Sequence, residues 1–300
     1  MLASHHYSFW TLAWALLLLF CSPPIQANSK NPKPYAYRAV PAIGQELALY
    51  SNVALVVSHE TGEVLYEKNI NVVHPVASLT KLMTAVVILD NELALDTTIR
   101  VENDDIDLAR RSRSKMRIGE VLARRDLLRL ALMSSENRAA SALARTYPGG
   151  REAFVAAMNR KAAQIGMRST WFVDSSGLSS RNVSTARDMA KLVATAARYP
   201  LIREYSTTAQ VSLTRLDSGT QIDYKNTNLL LRRDNGWAIN LSKTGFLNDA
   251  GYCLVLQAVI DRRTVDIVLL DSYGRYSRVG DANRIKRWIE ARARPTMGKL

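Results

Sequence analysis

The spacing of hydrophobic residues changes along the chain, and each change predicts a different kind of secondary structure. Val53–Ser58 and Glu63–Glu67 are β-rich runs on either side of a four-residue turn, which predicts a hairpin. From Ser78 to about Asp90 the residues after the first turn are nearly all apolar, so we expect a buried helix whose polar first turn lines a cleft. Apolar residues then recur three to four positions apart, which predicts helices at 120–133 and 139–147. A further helix at 152–165 is predicted to stop at Gly166, and the capping-box pattern from Thr185 to Asp188 predicts a helix at 185–198.

Pro200 is expected to end the last of these helices, and strand-like runs return after it. A basic helix from Arg275 to Ala293 follows the last strand. The predicted strands are Gln210–Leu216, Thr220–Asn226, Trp237–Thr244, Tyr252–Ile260 and Thr264–Leu270. Strands at both ends with helices between them predict an α/β fold of the α+β type, in which a mostly antiparallel sheet is flanked by helices and by a helical lobe.

Residues 1–27 differ from the rest of the chain because they contain no Asp, Glu, Lys or Arg. The apolar run from Trp10 to Phe20 is short for a membrane span and is typical of a secretory signal peptide, with cleavage after Ala27. An uncleaved anchor and lipidation at Cys21 are the alternatives. We expect a flexible leader at 28–42, one domain at 43–293 and a tail at 294–300, in a protein exported to the periplasm.

Net charge and cysteine content indicate the environment in which the exported part of the chain acts. All of the formal charge of +13 lies beyond residue 27, which favours anionic cell-envelope polymers as surroundings, and solvated surface arginines are the alternative explanation. No nucleic-acid-binding module is recognisable, so we expect no nucleic acid partner and at most loose membrane association. Cys253 is the only cysteine left after cleavage, and its apolar, strand-like surroundings predict a buried thiol.

Ser78 and Lys81 are the first candidate catalytic residues. Positions i and i+3 are neighbours on a helix surface, so the lysine amine can reach the serine hydroxyl. A serine hydroxyl needs an adjacent base to become a good nucleophile, and an amine can be that base if burial or a second cation lowers its pKa. The same spacing recurs at Ser112 and Lys115, which lie among arginines without an apolar helix after them and are predicted to form a solvated loop.

Two further motifs strengthen this hypothesis. Ser135-Glu-Asn137 lies at a break between two predicted helices, where a short polar turn can face a cleft. Lys243-Thr-Gly245 lies at the end of a predicted strand and is followed by Phe246. Ser-x-Asn occurs elsewhere in the chain, whereas Lys-Thr-Gly occurs once. The three motifs in this order are a strong indication of active-site-serine chemistry.

With the residues around these motifs, the chain resembles the low-molecular-mass penicillin-binding proteins of the D-alanyl-D-alanine peptidase family. The similarity covers most of 53–270, and the segments 226–228 and 242–251 look most like the D,D-endopeptidase branch. The resemblance implies a β-lactamase/transpeptidase-like fold. It also implies that peptidoglycan stem peptides and cross-links are the substrates and that β-lactam antibiotics are covalent inhibitors.

The resemblance further implies an acyl-transfer mechanism. Ser78 attacks the carbonyl of a D-alanine to form an acyl-enzyme, which water hydrolyses, and Lys81 takes the serine proton. Ser135 relays a proton toward the leaving amine, and Asn137 binds the substrate amide and fixes Lys81. The backbone N–H groups of Ser78 and Phe246 form the oxyanion hole, which commonly contributes about 3 kcal/mol per donor.

The Lys-Thr-Gly motif is implied to bind the other end of the substrate. Lys243 adds a second positive charge, which helps to keep Lys81 neutral and attracts a substrate carboxylate. Thr244 binds that carboxylate through its hydroxyl, and Gly245 lets the substrate approach the strand edge closely. No cofactor or metal is implied, and the sequence has no His-Glu-x-x-His motif.

Other functions fit part of the same pattern. Class A β-lactamases add a glutamate that activates the deacylating water, and residues 171–184 contain none, so we expect a long-lived penicilloyl adduct. D-alanyl-D-alanine carboxypeptidases typically append a β-rich domain and an amphipathic membrane helix, for which the residues after Gly245 are too few. The endopeptidase is therefore favoured over the carboxypeptidase, and a non-catalytic cell-wall binding protein is the remaining alternative.

Overall fold

The structure is a computed structural model, and it describes residues 47–108, 110–215, 218–232 and 235–293. The predicted signal peptide, leader and tail lie outside the described residues, as do residues 43–46 of the predicted domain. Among the described residues, no helix combines the length and the apolar character needed to cross a membrane.

The elements alternate in type much as the hydrophobic pattern predicts. The strands are Ser51–Ser58 (β1), Val64–Lys68 (β2), His74–Pro75 (β3), Thr98–Arg100 (β4), Val121–Ala123 (β5), Val183–Ser184 (β6), Gln210–Thr214 (β7), Gln221–Lys225 (β8), Ala238–Leu247 (β9), Gly251–Ile260 (β10) and Arg263–Ser272 (β11). The helices are Thr80–Asp90 (α1), Arg124–Met133 (α2), Asn137–Arg145 (α3), Gly150–Gln164 (α4), Ala186–Ala196 (α5), Pro200–Thr207 (α6) and Arg275–Ala293 (α7).

The first and last strands of the domain lie in one antiparallel sheet, as the sequence predicts. Its order is β2-β1-β11-β10-β9, and β1 pairs with β11 in a register that places Val53 opposite Leu270. β9 is an edge strand of this sheet, so one side of it can face a cleft or a substrate. The edge matters because β9 contains the Lys-Thr-Gly motif.

The sheet separates two hydrophobic cores. Side chains alternate between the faces of a strand, so Leu55 packs with α1 to α6 on one face while Val56 packs on the other. On that second face α7 contributes Ile285 and Ile289. Complete burial of an aliphatic side chain contributes about 1.5–3 kcal/mol, so both layers hold the sheet firmly in place.

Two local predictions are wrong. Val121–Ala123 forms strand β5 against β4, and the predicted helix from residue 120 begins only at Arg124. A short apolar run fits a strand as well as a helix, so spacing alone does not distinguish them. Pro200 begins α6 rather than only ending the helix before it, because proline at the first helical position loses no hydrogen bond that the helix would make.

Helix α1 lies at the centre of the helical layer and is buried along nearly its whole length. The polar side chains of Thr80, Lys81 and Thr84 are buried too, and each has hydrogen-bond partners. Thr80 Oγ1 donates to Ala77 O at 2.8 Å, and Thr84 Oγ1 donates to Ser175 O at 2.6 Å. The first bond fixes the turn that precedes α1, and the second holds α1 against the loop at 174–179, which forms part of the site described next.

Candidate active site

Ser78 lies in a tight turn at the start of α1. It belongs to the short 3-10 helix Ala77–Leu79, and its side chain is half-buried. Ala77 adopts a φ of +48°, a conformation that costs about 1–3 kcal/mol in a residue other than glycine. Strain of this kind persists only where the surrounding structure enforces it, and here α1 and two neighbouring segments do so.

The tightest contact on this turn comes from the loop at 174–179, which follows an isolated β-bridge at Trp171. Gly177 has a φ of +78°, and a Cβ placed on it would lie 1.9 Å from Ala77 O. Only glycine fits there. The peptide between Ala77 and Ser78 is therefore held directly against the loop at 174–179.

The Lys81 amine lies at the junction of three segments. Its Nζ donates to Ser78 Oγ at 2.9 Å, to Asn137 Oδ1 at 2.7 Å and to the carbonyl oxygen of Ser176 at 2.6 Å. The side chain is completely buried. The structure thus brings Ser78, Lys81 and Asn137 together, in the contacts that the sequence predicts.

Burial lowers the pKa of Lys81 to about 7, while the carboxylates of Asp174 and Glu136 act in the opposite direction. Of the two causes that the sequence left open, burial is therefore the main one. Near neutral pH a large fraction of Lys81 is uncharged, and an uncharged amine 2.9 Å from Ser78 Oγ can accept its proton.

A second serine–lysine pair lies beside the first. Lys243 Nζ donates to Ser135 Oγ and to the carbonyl oxygen of Thr244, both at 2.9 Å. Burial lowers the pKa of Lys243 well below its ordinary value, and the nearby Lys81 and Arg278 add to this effect. Ser135 has a φ of +62°, so the break between α2 and α3 is a strained turn that presents the hydroxyl to Lys243.

Strand β9 forms the wall of the cleft opposite Ser135 and Asn137. A Cβ on Gly245 would lie 3.1 Å from Ala77 Cβ and 3.2 Å from Ser78 N, so the glycine lets the strand approach the reactive turn. Thr244 Oγ1 donates to Thr227 Oγ1 at 2.6 Å. Phe246 is 48% exposed and stacks on Tyr252 with ring centroids 4.2 Å apart. The motif lies inside the strand, which continues to Leu247, rather than at its end.

Arg278, which the sequence does not mark as functional, supports this wall from α7. Its Nη1 donates to the carbonyl oxygens of Gly245 and Cys253, both at 2.7 Å. Burial lowers its pKa to about 10. Cys253 is buried and free, as predicted. The guanidinium therefore ties β9 and β10 together directly behind the Lys-Thr-Gly motif.

The prediction of a solvated loop at Ser112 to Lys115 is wrong for its serines. Asn137 Nδ2 donates to Ser112 Oγ at 2.9 Å, which turns Asn137 Oδ1 toward Lys81. Ser114 Oγ donates to Glu136 Oε2 at 2.6 Å, and Glu136 is buried. Arg111 and Arg113 are exposed. The loop therefore contributes to the orientation of Asn137, a role for which the sequence gives no periodic signal.

The loop at 174–179 is another part of the site for which the sequence predicts no functional role. Asp174 Oδ1 accepts hydrogen bonds from the backbone N–H groups of Ser176 and Gly177, at 2.7 and 2.6 Å. Its Oδ2 accepts from Ser179 N at 2.9 Å. The aspartate followed by two serines and a glycine is the signal that could have predicted this turn, since an Asp side chain commonly bonds to the backbone that follows it.

The described residues contain no group of three or more His, Cys, Asp or Glu side chains that could hold a metal ion. The chemistry that this part of the chain offers is acyl transfer, because it presents a half-buried serine, a buried amine within hydrogen-bonding distance of it, and polar groups on both walls of a cleft.

Comparisons with known proteins agree with the resemblance given by the motifs. The family described as D-alanyl-D-alanine carboxypeptidase matches residues 41–274. The D-alanyl-D-alanine endopeptidase of Pseudomonas aeruginosa is 45% identical over 277 residues, which cover 92% of this chain and 87% of that protein. The D-alanyl-D-alanine endopeptidase of Escherichia coli is 43% identical over 259 residues, which cover 86% and 83% respectively.

Solved structures show the same fold. A Streptomyces DD-transpeptidase superposes with a TM-score of 0.77 and 28% identity, over 82% of this chain and 99% of that chain. A penicillin-binding protein of Listeria monocytogenes in its ampicillin-bound form superposes with a TM-score of 0.70 and 30% identity, over 81% and 99%. The predicted β-lactamase/transpeptidase-like fold is confirmed.

Proposed function

We propose that this chain, which belongs to the D-alanyl-D-alanine carboxypeptidase family of serine peptidases, is a D,D-endopeptidase that cleaves D-alanyl cross-links in peptidoglycan. The observation that carries the chemistry is the 2.9 Å contact between Ser78 Oγ and the buried amine of Lys81. The choice of the endopeptidase within the family is supported by relatives of that name that are 45% and 43% identical. Carboxypeptidase activity is the alternative.

In the proposed reaction Ser78 Oγ attacks the carbonyl carbon of a D-alanine while its proton passes to Lys81 Nζ. The carbonyl oxygen becomes negative, and the backbone N–H groups of Ser78 and Phe246 stabilise it. The C–N bond then breaks, and the leaving amine takes a proton through Ser135. Water attacks the ester on Ser78, and the acyl group leaves as a carboxylic acid, which restores the serine.

Lys243, Thr244 and Gly245 would hold the leaving side of the substrate. A carboxylate that arrives beside Lys243 favours the charged form of its amine, which burial disfavours in the free protein. Thr244 would exchange its bond to Thr227 for a bond to that carboxylate. Asn137 already makes two hydrogen bonds that fix its amide plane, so it can offer the substrate amide a preset partner.

A β-lactam would enter the same reaction and stop at the acyl-enzyme. The one carboxylate of the 174–179 loop, Asp174, accepts hydrogen bonds from three backbone N–H groups and from Ser176 Oγ, so it is poorly placed to activate a water. We expect penicillin to leave a lasting mass increase on Ser78, absent from Ser78→Ala. Rapid catalytic consumption of the drug would instead favour a β-lactamase.

The direct test of the endopeptidase is a digestion of cross-linked muropeptide dimers mixed with pentapeptide monomers, with Ser78→Ala as control. Conversion of dimers to monomers without free D-alanine is expected. Release of D-alanine with the dimers intact would establish the carboxypeptidase instead. No change in either substrate would favour a non-catalytic cell-wall binding protein.

Action on peptidoglycan requires export, and we propose that residues 1–27 are a signal peptide removed in the periplasm, with 28–42 as a leader before the catalytic domain. The mature protein is then expected to begin at Asn28, which mass measurement of the protein from a cell-envelope extract would test. A mature chain that keeps residues 1–27 would contradict cleavage and favour an anchor.

A further inference from the structure

An ion pair joins the two walls of the cleft. Arg110 Nη2 donates to Asp249 Oδ2 at 2.9 Å. Arg110 begins a segment that we call the arginine loop (residues 110–117), which presents Ser112 to Asn137. Asp249 lies in the turn between β9 and β10, directly after the strand that contains Phe246. The pair therefore links the helical wall to the sheet wall.

Both members of the ion pair lie a few residues along the chain from residues of the site. Arg110 is two positions from Ser112, and Asp249 is three positions from Phe246. An extended chain spans at most about 3.6 Å per residue, so the Cα atoms of Arg110 and Asp249 lie within about 7 and 11 Å of those of Ser112 and Phe246. A peptide that follows β9 beyond Phe246 is led toward Asp249 and its ion pair.

The backbone on each side of the ion pair is anchored. The Asp107 carboxylate accepts from Arg110 N at 2.9 Å and from Ser112 N at 3.0 Å. On the other side, Ala250 O is 2.9 Å from His74 Nε2. The two paired side chains are themselves 33% and 54% exposed. The charges are thus well positioned, but solvent reaches them, and exposed ion pairs contribute little to stability.

The direction of the substrate follows from the proposed function, on which this inference rests. A substrate carboxylate at Lys243 and Thr244 and a carbonyl at Ser78 make the peptide run along β9, past Phe246, toward Asp249. The end of the peptide that runs this way is the donor stem, which supplies the acyl group. Stem peptides have free carboxylates, and a guanidinium binds a carboxylate of the substrate as well as one of the protein.

We propose that Arg110 is a specificity-determining residue. Its guanidinium breaks its ion pair with Asp249 and binds a free carboxylate of the donor stem peptide instead. Asp249 then competes with the substrate for the guanidinium and keeps this end of the cleft closed until a carboxylate-bearing stem enters. No covalent step is involved, and Ser78 and its partners react as already described.

The two single variants should shift the KM for cross-linked muropeptide dimers in opposite directions. Arg110→Ala removes the group that binds the carboxylate and is expected to raise KM about tenfold. Asp249→Ala removes the competitor and is expected to lower KM severalfold. Arg113→Ala, an exposed arginine of the same loop, is the matched control and should leave KM nearly unchanged. A purely structural ion pair predicts that both variants change KM in the same direction, and that result would overturn the proposal, as would no change in either.

Dimers whose stem carboxylates are amidated identify the ligand chemistry. The wild type should prefer free over amidated dimers, and Arg110→Ala should lose that preference; an equal preference in both proteins would contradict the proposal. Penicillin labelling of Ser78 shows that each variant is folded and reactive. If the wild type releases D-alanine from pentapeptides and leaves dimers intact, the endopeptidase fails, and the same opposite shifts in KM remain measurable with free and amidated pentapeptides.

Discussion

Two opposing effects determine the pKa of Lys81. Burial favours the neutral amine, while the carboxylates of Asp174 and Glu136 favour the charged form. The result lies near neutral pH, where a general base is most effective. Glu136 is itself buried, and it accepts hydrogen bonds from Ser114 Oγ and from Lys115 N at 3.2 Å, so its charge is held in place beside the site.

Glu136→Gln is therefore expected to lower the pKa of Lys81. With the negative charge gone, neutral Lys81 would persist to lower pH, so the acid limb of the rate of Ser78 acylation by penicillin should move to lower pH. The pH profile of labelling, compared with that of Glu152→Gln on the exposed surface of α4, measures this shift. An acid limb that stays at the same pH, or moves to higher pH, would contradict the role assigned to Glu136.

Ser112 orients Asn137, which in turn binds Lys81. Its Oγ accepts from Asn137 Nδ2, which leaves Asn137 Oδ1 as the acceptor for Lys81. Loss of a single hydrogen bond of this kind costs about 1 kcal/mol, so Ser112→Ala is expected to slow penicillin acylation of Ser78 about fivefold to tenfold. Ser212→Ala, on exposed β7, is the control. Equal rates in the wild type and Ser112→Ala would show that the amide holds its orientation without the serine.

At the scale of elements, the turn that contains Ser78 depends on a glycine in another segment. Gly177 and Gly62 have similar φ values, +78° and +72°, but a Cβ on Gly177 would lie 1.9 Å from Ala77 O, whereas a Cβ on Gly62 would have no atom within 4 Å. Alanine substitutions at these two glycines therefore distinguish the energetic cost of a left-handed backbone from the cost of a steric clash.

Gly177→Ala is expected to displace the loop at 174–179, lower the melting temperature and abolish penicillin labelling of Ser78. Gly62→Ala should cost only about 1–2 kcal/mol of backbone strain and leave labelling intact. Thermal unfolding and labelling of both variants test this. Normal labelling in Gly177→Ala would contradict the close approach of the loop to Ser78.

The sequence predicts the elements whose patterns are local, but it does not predict contacts between residues that are far apart in the chain. The hairpin of β1 and β2 follows from two β-rich runs, and the helices α2 and α3 follow from apolar residues three to four positions apart. Asn137 and Ser112 are 25 positions apart, and Arg278 and Gly245 are 33 positions apart, so no local pattern relates them. The three motifs proposed to be catalytic are recognisable because their residue types occur in a known order, which is a signal of chemistry rather than of structure.

At the scale of the whole molecule, the sheet connects the site to the helix on its far face. Strand β9 presents Lys243 and Gly245 to the cleft, and Arg278 of α7 holds its backbone from behind. The position of one wall of the cleft thus depends on packing in the second hydrophobic core. This arrangement explains why a helix remote from the serine contributes a buried charge to the site.

Arg278→Leu is expected to reduce both stability and reactivity. The carbonyl oxygens of Gly245 and Cys253 would lose their buried donor, which should lower the free energy of unfolding by about 2–5 kcal/mol and slow acylation of Ser78. Urea unfolding and penicillin labelling measure the two effects, and Arg287→Leu on the exposed face of α7 is the control. Equal losses in both variants would contradict a specific role for Arg278.

The rate of penicilloyl formation on Ser78, measured by intact mass from about pH 5 to about pH 9, tests directly whether neutral Lys81 is the base, because this range spans the pKa of about 7 for Lys81. A base acts in its neutral form, so the rate should rise about tenfold per pH unit below that pKa and level off above it. A rate that stays constant through neutral pH, or falls as pH rises, would show that neutral Lys81 does not activate Ser78.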